Sequence, residues 1–353
     1  MTLAQGPRSA PPADKRLKLV DGLRGVAATL VMLNHLVGRT AAGSLVHRGY
    51  LGVAIFFVLS GFVITSMLGA RRMSLGFLGR FALRRMVRLD IPYWVNIVLV
   101  LLMMKLAVHF GAPQQSVGVA QVLAHLVYLQ GLLGFPEISA VYWTLCFEVQ
   151  FYLALALLLW GAQKSGALRR YFPAVFLLLM ALSLLANMGV IVTPRGTMWS
   201  YWWAFALGGL CYWTLIGEVS ARYLAGSCLV LLASVGAVHG DWRVTAVITV
   251  GLMFIAWRRN AMGRWLADPV SQFLGRISYS LYLCHPLFGW SAQSLALRYM
   301  NQWGALAVGL TVGVVSAWLT YRYVERPGIA LSHHVSLSTA SGADGSARRA
   351  SAA

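Results

Sequence analysis

The sequence predicts an all-α polytopic membrane protein with about ten transmembrane helices and one further re-entrant or interfacial helix. Three observations carry this. Hydrophobic residues make up 59% of the 353 and charged residues only 11%, against roughly 25% charged in an ordinary soluble domain. Mean hydropathy is +0.68. Apolar runs of crossing length recur along most of the chain, where a transmembrane β-barrel would show weak alternation. A soluble enzyme, a disordered chain and a coiled coil are excluded.

Residues 1–17 are polar, with Pro11, Pro12, Lys15 and Arg16, and read as a loose cytoplasmic tail. A bilayer core about 30 Å thick needs roughly 20 helical residues per crossing. Apolar runs suited to crossing lie near 19–38, 51–69, 89–109, 141–162, 171–192, 197–216, 222–239, 243–257, 273–296 and 303–323. The first is long enough to span and has no small-residue cleavage site after it, so no signal peptide is expected. Segment 117–134 is also apolar, but a full crossing there would put Lys164, Arg169 and Arg170 outside. It is therefore expected to be re-entrant or interfacial, sheltered by protein or a watery cavity. By this alternation about 23 of the 29 Lys and Arg fall on the starting side, about five on the other, and Lys105 within a span. The asymmetry places both termini in the cytoplasm. From 331 the chain is rich in Ser, Ala and Gly and is expected to be disordered. The expected layout is a tail over 1–17, a membrane domain over 18–330 and a second cytoplasmic tail over 331–353. Cys146, Cys211, Cys228 and Cys284 lie in apolar segments without metal-type spacing and read as packing residues.

Ionisable side chains inside spans are costly and point to function. Arg24 and His35 are 11 residues apart, so at 100° per residue they fall about 20° from alignment, with a rise of roughly 16 Å. They share one face, Arg24 near the cytoplasmic mouth and His35 deep toward the outer leaflet. Asp21, one turn earlier, is placed to hold the Arg24 guanidinium. Snorkelling to the interface is the bland reading of Arg24, and packing is that of His35. The second span carries Gly52, Phe56, Phe57, Ser60 and Gly61, small residues that allow close helix approach. The loop expected after it contains Arg71, Arg72, Arg80, Arg84, Arg85 and Arg88. That exceeds what orientation requires and suits a polyphosphate, with anionic lipid headgroups as the alternative. Trp143 reads as an interfacial aromatic, and Glu148 lies roughly 10 Å in from the outer surface, at a depth similar to His35. Ser278, Tyr282 and His285 follow i, i+4, i+7 spacing, which gives His285 a structural or positioning role in the same cavity.

Taken together these segments resemble the membrane acyltransferase-3 family of bacterial multi-pass O-acyltransferases acting on glycans, over roughly residues 18–330. The resemblance rests on Leu19 to Gly25 leading to His35, Gly52 to Phe62, Arg84-Arg85-Met86-Val87-Arg88, Trp143-Thr144-Leu145 with Glu148 and Phe151-Tyr152, Ser278 to Pro286, and Glu325-Arg326-Pro327. Two stretches depart from the family pattern: Asp90 is acidic where an aromatic or apolar residue is usual, and Thr144-Leu145-Cys146 replaces a serine-bearing version.

The resemblance implies acyl transfer from cytoplasmic acyl-CoA, usually acetyl-CoA, to a hydroxyl of a lipid-linked, cell-surface or exported glycan. The expected partners are thus the acyl-CoA, that acceptor and membrane lipids, without metal or nucleic acid, at the bacterial inner membrane. It further implies that His35 and Arg24 are essential and that the basic loop helps to bind the donor. On this reading Arg84, Arg85 and Arg88 engage CoA phosphates and Arg24 guides the thioester. His35 acts as general base or as a transiently acylated relay, and Glu148 is expected, from depth alone, to orient it. Asp21, Ser60, Trp143, Tyr152, Tyr282 and His285 are expected to position substrates. The rivals are a proton-coupled secondary transporter, a scaffold subunit, and an O-acyltransferase acting on a small secondary metabolite.

Overall fold

Length and sequence period set the elements before packing does, and the computed structural model describes residues 17–38, 40, 48–68, 73–109 and 116–335. The two expected tails, apart from 17 and 331–335, lie outside the described residues, as do His47, Arg71 and Arg72. Thirteen α-helices are described and no strand is seen among these residues. They are α1 Lys18–Val37, α2 Leu51–Leu68, α3 Leu75–His109, α4 Val119–Leu126, α5 Tyr142–Lys164, α6 Gly166–Asn187, α7 Trp202–Leu215, α8 Ala221–Ala233, α9 Gly240–Arg258, α10 Pro269–Cys284, α11 Trp290–Ala296, α12 Gln302–Thr320 and α13 Arg326–Ser332. Single π-turns at His285–Gly289 and Tyr321–Glu325 join α10 to α11 and α12 to α13.

The protein is a polytopic helical membrane protein. Six described segments are long and apolar enough to cross a bilayer: α2, α3, α5, α6, α9 and the continuous run Gln302–Ser332. This falls short of the ten expected from the apolar runs. Asp21, Arg24, Asn34 and His35 lower the hydropathy of α1, α7 and α8 have only 14 and 13 residues, and the α10 crossing is divided by its π-turn.

A second difference is at α3. The basic stretch expected to be a loop is helix from Leu75, so α3 runs 35 residues, about 52 Å at 1.5 Å per residue. Arginine is a good helix former, and Pro92 is accommodated within the same helix. The 117–134 segment gives α4, eight residues and about 12 Å, too short to cross. Buried His125 ties it down, its Nδ1 donating to Gln121 O at 2.7 Å while its Nε2 accepts from Ile138 N at 3.1 Å.

Close approach of backbones holds the bundle together, as expected where lipid offers no hydrophobic drive between helices. A Cβ on Gly61 would lie 1.9 Å from Phe205 O, and one on Gly208 would lie 1.9 Å from Val58 O, so α2 and α7 touch reciprocally. A Cβ on Gly52 would meet Ala27 O at 2.3 Å, bringing α2 onto α1. On its other side α1 meets α10: a Cβ on Gly25 would be 2.7 Å from Gly275 N, and one on Gly275 would be 2.3 Å from Asp21 O. Buried Arg243 ties the turn before α9 to α6, donating to Ser234 O at 2.7 Å, to Val238 O and to Asn187 Oδ1 at 3.2 Å. In the turn before α2, Tyr50 donates to the Asp241 carboxylate. Desolvation and that carboxylate push its phenol up to about 12, so it stays protonated.

Candidate active site

Helices α1 and α10 run parallel, with residues near i on one facing residues near i+250 on the other. Arg24 Nε donates to Ser278 Oγ at 3.4 Å, and three turns further on His35 Nδ1 lies 2.8 Å from His285 Nε2. The expected stripe on α1 therefore faces α10 rather than lipid. His285 is fully buried and its Nδ1 lies 2.9 Å from the Leu281 carbonyl oxygen. A carbonyl can only accept, so the network assigns the His285 proton to Nδ1 and a lone pair to its Nε2. In the neutral pair His35 Nδ1–H must then donate, and the lone pair on His35 is left at Nε2. That atom has no hydrogen-bond partner among the described residues.

The surroundings fix this geometry. The last carbonyls of a helix have no partner within it, and those of α1 are met from α11. Trp290 Nε1 donates to His35 O and Gln293 Nε2 to Leu36 O, both at 3.0 Å. Pro286, lacking an N–H, falls in the π-turn that redirects the chain after His285, a common cause and setting of such turns. The His35 and His285 rings are stacked at 5.0 Å, and Trp290 lies 5.4 Å from His35.

A second cluster joins α2, α3 and α5. Ser60 Oγ donates to Glu148 Oε1 at 2.8 Å, and Arg85 Nη2 is 3.6 Å from the same oxygen. Arg85 also donates to the Tyr152 hydroxyl, with its guanidinium carbon 4.4 Å from the ring centre. Glu148 thus engages Ser60 and Arg85, while His35 engages His285. The pairing of Glu148 with His35 expected from depth is not what the helices bring together, because depth fixes height and says nothing of azimuth.

Tyr282 links the two clusters. Its hydroxyl is 2.8 Å from Thr144 Oγ1, one turn from Glu148 on α5, and its ring centre is 6.2 Å from that of His285. Arg24, Ser60, Thr144, Glu148 and Tyr282 share a cavity of about 40 Å³. That has room for a water or so, and a substrate arm needs side chains to move.

The basic residues separate. Successive residues on a helix are 100° apart, so Arg84 turns to His333, at 2.9 Å, while Arg85 points into the bundle. Arg88 lies within electrostatic reach of Arg24, Arg85, Glu325 and Glu148. Glu325 accepts from Ser280 Oγ at 2.6 Å. Half-buried Trp143 packs against Phe57, Phe147 and Tyr201. Asp21 presents its carbonyl to Gly275. Sequence reasoning missed Trp290 and Gln293, whose only signal is their position just beyond His285-Pro286.

The Arg85–Glu148 pair supports a direct test. Removing one partner of a largely buried pair leaves an uncompensated charge, though 11% and 22% side-chain exposure tempers the penalty. Glu148→Gln is expected to destabilise the protein by about 2 kcal/mol, and adding Arg85→Met should recover most of the loss. Thermal unfolding in detergent of the two single variants and the double gives the coupling; additive losses would show the pair to be uncoupled.

A profile of the family described as an acyltransferase domain matches residues 17–322. Among curated proteins the chain is 27% identical over 343 residues to a putative membrane-bound transacylase, BcsY, of Komagataeibacter xylinus, covering 89% of this chain and 83% of that one. It is 26% identical to nodulation protein 10 of Rhizobium leguminosarum bv. viciae, covering 88% and 93%. It is 25% identical to the peptidoglycan O-acetyltransferase OatA of Listeria monocytogenes, covering 89% of this chain and 56% of OatA. No solved structure matches the chain.

Proposed function

The chain belongs to this membrane acyltransferase family, and from that premise we propose that it moves an acyl group, acetyl in the first instance, from acyl-CoA to a hydroxyl of a cell-surface or exported glycan. The observation that carries the reading is the chain of hydrogen bonds from the Leu281 carbonyl through His285 to His35, which leaves a lone pair on His35 Nε2. In the proposed step that nitrogen takes the proton of the acceptor hydroxyl. The oxygen attacks the thioester carbonyl, the C–S bond breaks, and the CoA thiolate leaves and is protonated. The same lone pair would serve if the imidazole were first acylated. His285 is the positioning residue, fixing the His35 tautomer as a third group does in catalytic triads.

On this reading the donor is cytoplasmic and the helical bundle separates it from the outer face of a bacterial inner membrane, with both termini inside. The Lys/Arg asymmetry supports that orientation, and the name of the Listeria relative supports a glycan acceptor. The test is purified protein in liposomes with acetyl-CoA and a set of surface glycans. Acceptor-dependent thiol release with acylated sugar is expected, and CoA-independent transport with no thiol release would overturn the reading. His285→Ala is expected to lower kcat about 10²-fold with KM within a few-fold, and His285→Gln, whose amide oxygen can accept from His35, to restore part of it. Equal loss in both variants would remove the tautomer argument.

A further inference from the structure

The family resemblance gives Arg24 the guiding of the thioester, yet the cavity beside Arg24 holds only about 40 Å³. A larger opening, about 360 Å³, lies between α3 and α5 and ends under the 126–128 turn. It extends along α3 from Leu78 to Asp90, twelve residues and about 18 Å. Its walls are aliphatic and aromatic, Phe81, Met86 and Leu153 among them, and its polar groups come from Arg85, Asp90, Tyr128 and Tyr152. One end lies beside the arginine-bearing first turns of α3, Arg85 stands midway with its guanidinium on Glu148, and the far end is at Asp90 and Tyr128.

Two atoms of these lining residues lack partners. Asp90 is 3% exposed, and while its Oδ1 accepts from Tyr128 at 2.8 Å, its Oδ2 has none. Arg85 uses Nη2, but its Nε–H has none. Buried polar atoms left unpaired are destabilising, and both are closed off from the cleft until their side chains turn, so a group that draws them to it recovers that loss. One wants a donor and the other an acceptor. An amide has both, and an apolar chain bearing amides is the ligand these walls and this floor suit.

We propose that the α3–α5 cleft is the subsite for the amide-bearing pantetheine arm of the thioester donor, with Asp90 and the Arg85 Nε–H receiving its amide groups. This rests on the acyl-CoA reading above and places the arm to the side of the small cavity that holds Arg24. The 18 Å length and the basic end suit an arm tethered to phosphates. A bilayer amphiphile with an amide or hydroxyl is the competing occupant.

The test uses the full chain in nanodiscs, following thiol release with acetyl-CoA and with an acetyl thioester of a plain alkanethiol, which has no amides. Asp90→Leu is expected to raise KM for acetyl-CoA about tenfold, with kcat within threefold and the alkanethiol thioester unaffected. Ala82→Trp, which fills the cleft from its wall, is expected to weaken acetyl-CoA at least as much. Unchanged KM values in both variants, with the parent active, would overturn the cleft assignment and leave the acyltransferase reading intact. So would native mass spectrometry showing a lipid there that CoA does not displace. No thiol release and no CoA binding by the parent would remove both.

Discussion

His35→Ala is expected to lower acyl transfer by about 10³-fold or more, while expression, membrane insertion and donor KM stay close to those of the parent. General acid–base catalysis by a positioned side chain contributes about 10²–10⁴-fold, and the upper part of that range applies because the neighbouring imidazole, His285, is fully buried behind the His35 ring and tied to the Leu281 carbonyl. The ring is held at both ends of its peptide neighbourhood, by Trp290 on its own carbonyl and Gln293 on the next. Removing the imidazole should therefore leave α1 seated. Initial rates of glycan acylation with saturating acetyl-CoA decide the matter. A variant within tenfold of the parent would show that the lone pair on Nε2 does no chemistry.

The second large effect is on packing. Gly275→Ala adds one methyl group 2.3 Å from the Asp21 carbonyl oxygen, a backbone atom that cannot swing away. The two helices must part there, and both contacts that depend on their register, Arg24 with Ser278 and His35 with His285, lengthen together. Overpacking of this kind destabilises by about 1–3 kcal/mol, and activity is expected to fall at least tenfold besides. Gly251→Ala is the control, because a Cβ there meets nothing within 4 Å and alanine is the better helix former. Thermal unfolding in detergent and transfer assays on both variants test this. Equal behaviour of the two glycines would show that α1 and α10 tolerate separation.

What could be read ahead of the structure was set by periodicity. Arg24 and His35 lie on one stripe because 11 residues nearly close three turns, and both turn to α10. Ser278, Tyr282 and His285 share a face for the same reason, and all three meet the site. Azimuth between helices was not legible: His35 and Glu148 are similar in expected depth, yet their partners are His285 and Ser60. Nor was the start of α3, since hydropathy registers a crossing and ignores a helix that continues through arginines. The number of crossings was the weakest reading, because α7, α8 and α10 are short for a bilayer and draw their place from neighbours such as Gly61 and Gly25.

The parallel seam of α1 and α10 joins residues some 250 positions apart, and that has a bearing on biogenesis. At a synthesis rate of about 5–20 residues per second, His35 emerges roughly 12–50 s before its imidazole partner exists. Throughout that wait the opening segment holds a guanidinium and an imidazole with no companion from the chain's far end, in surroundings that penalise both. A nascent chain halted before residue 269 would therefore be stranded with an incompletely sheltered first helix, a mark by which quality control could tell it from the finished protein.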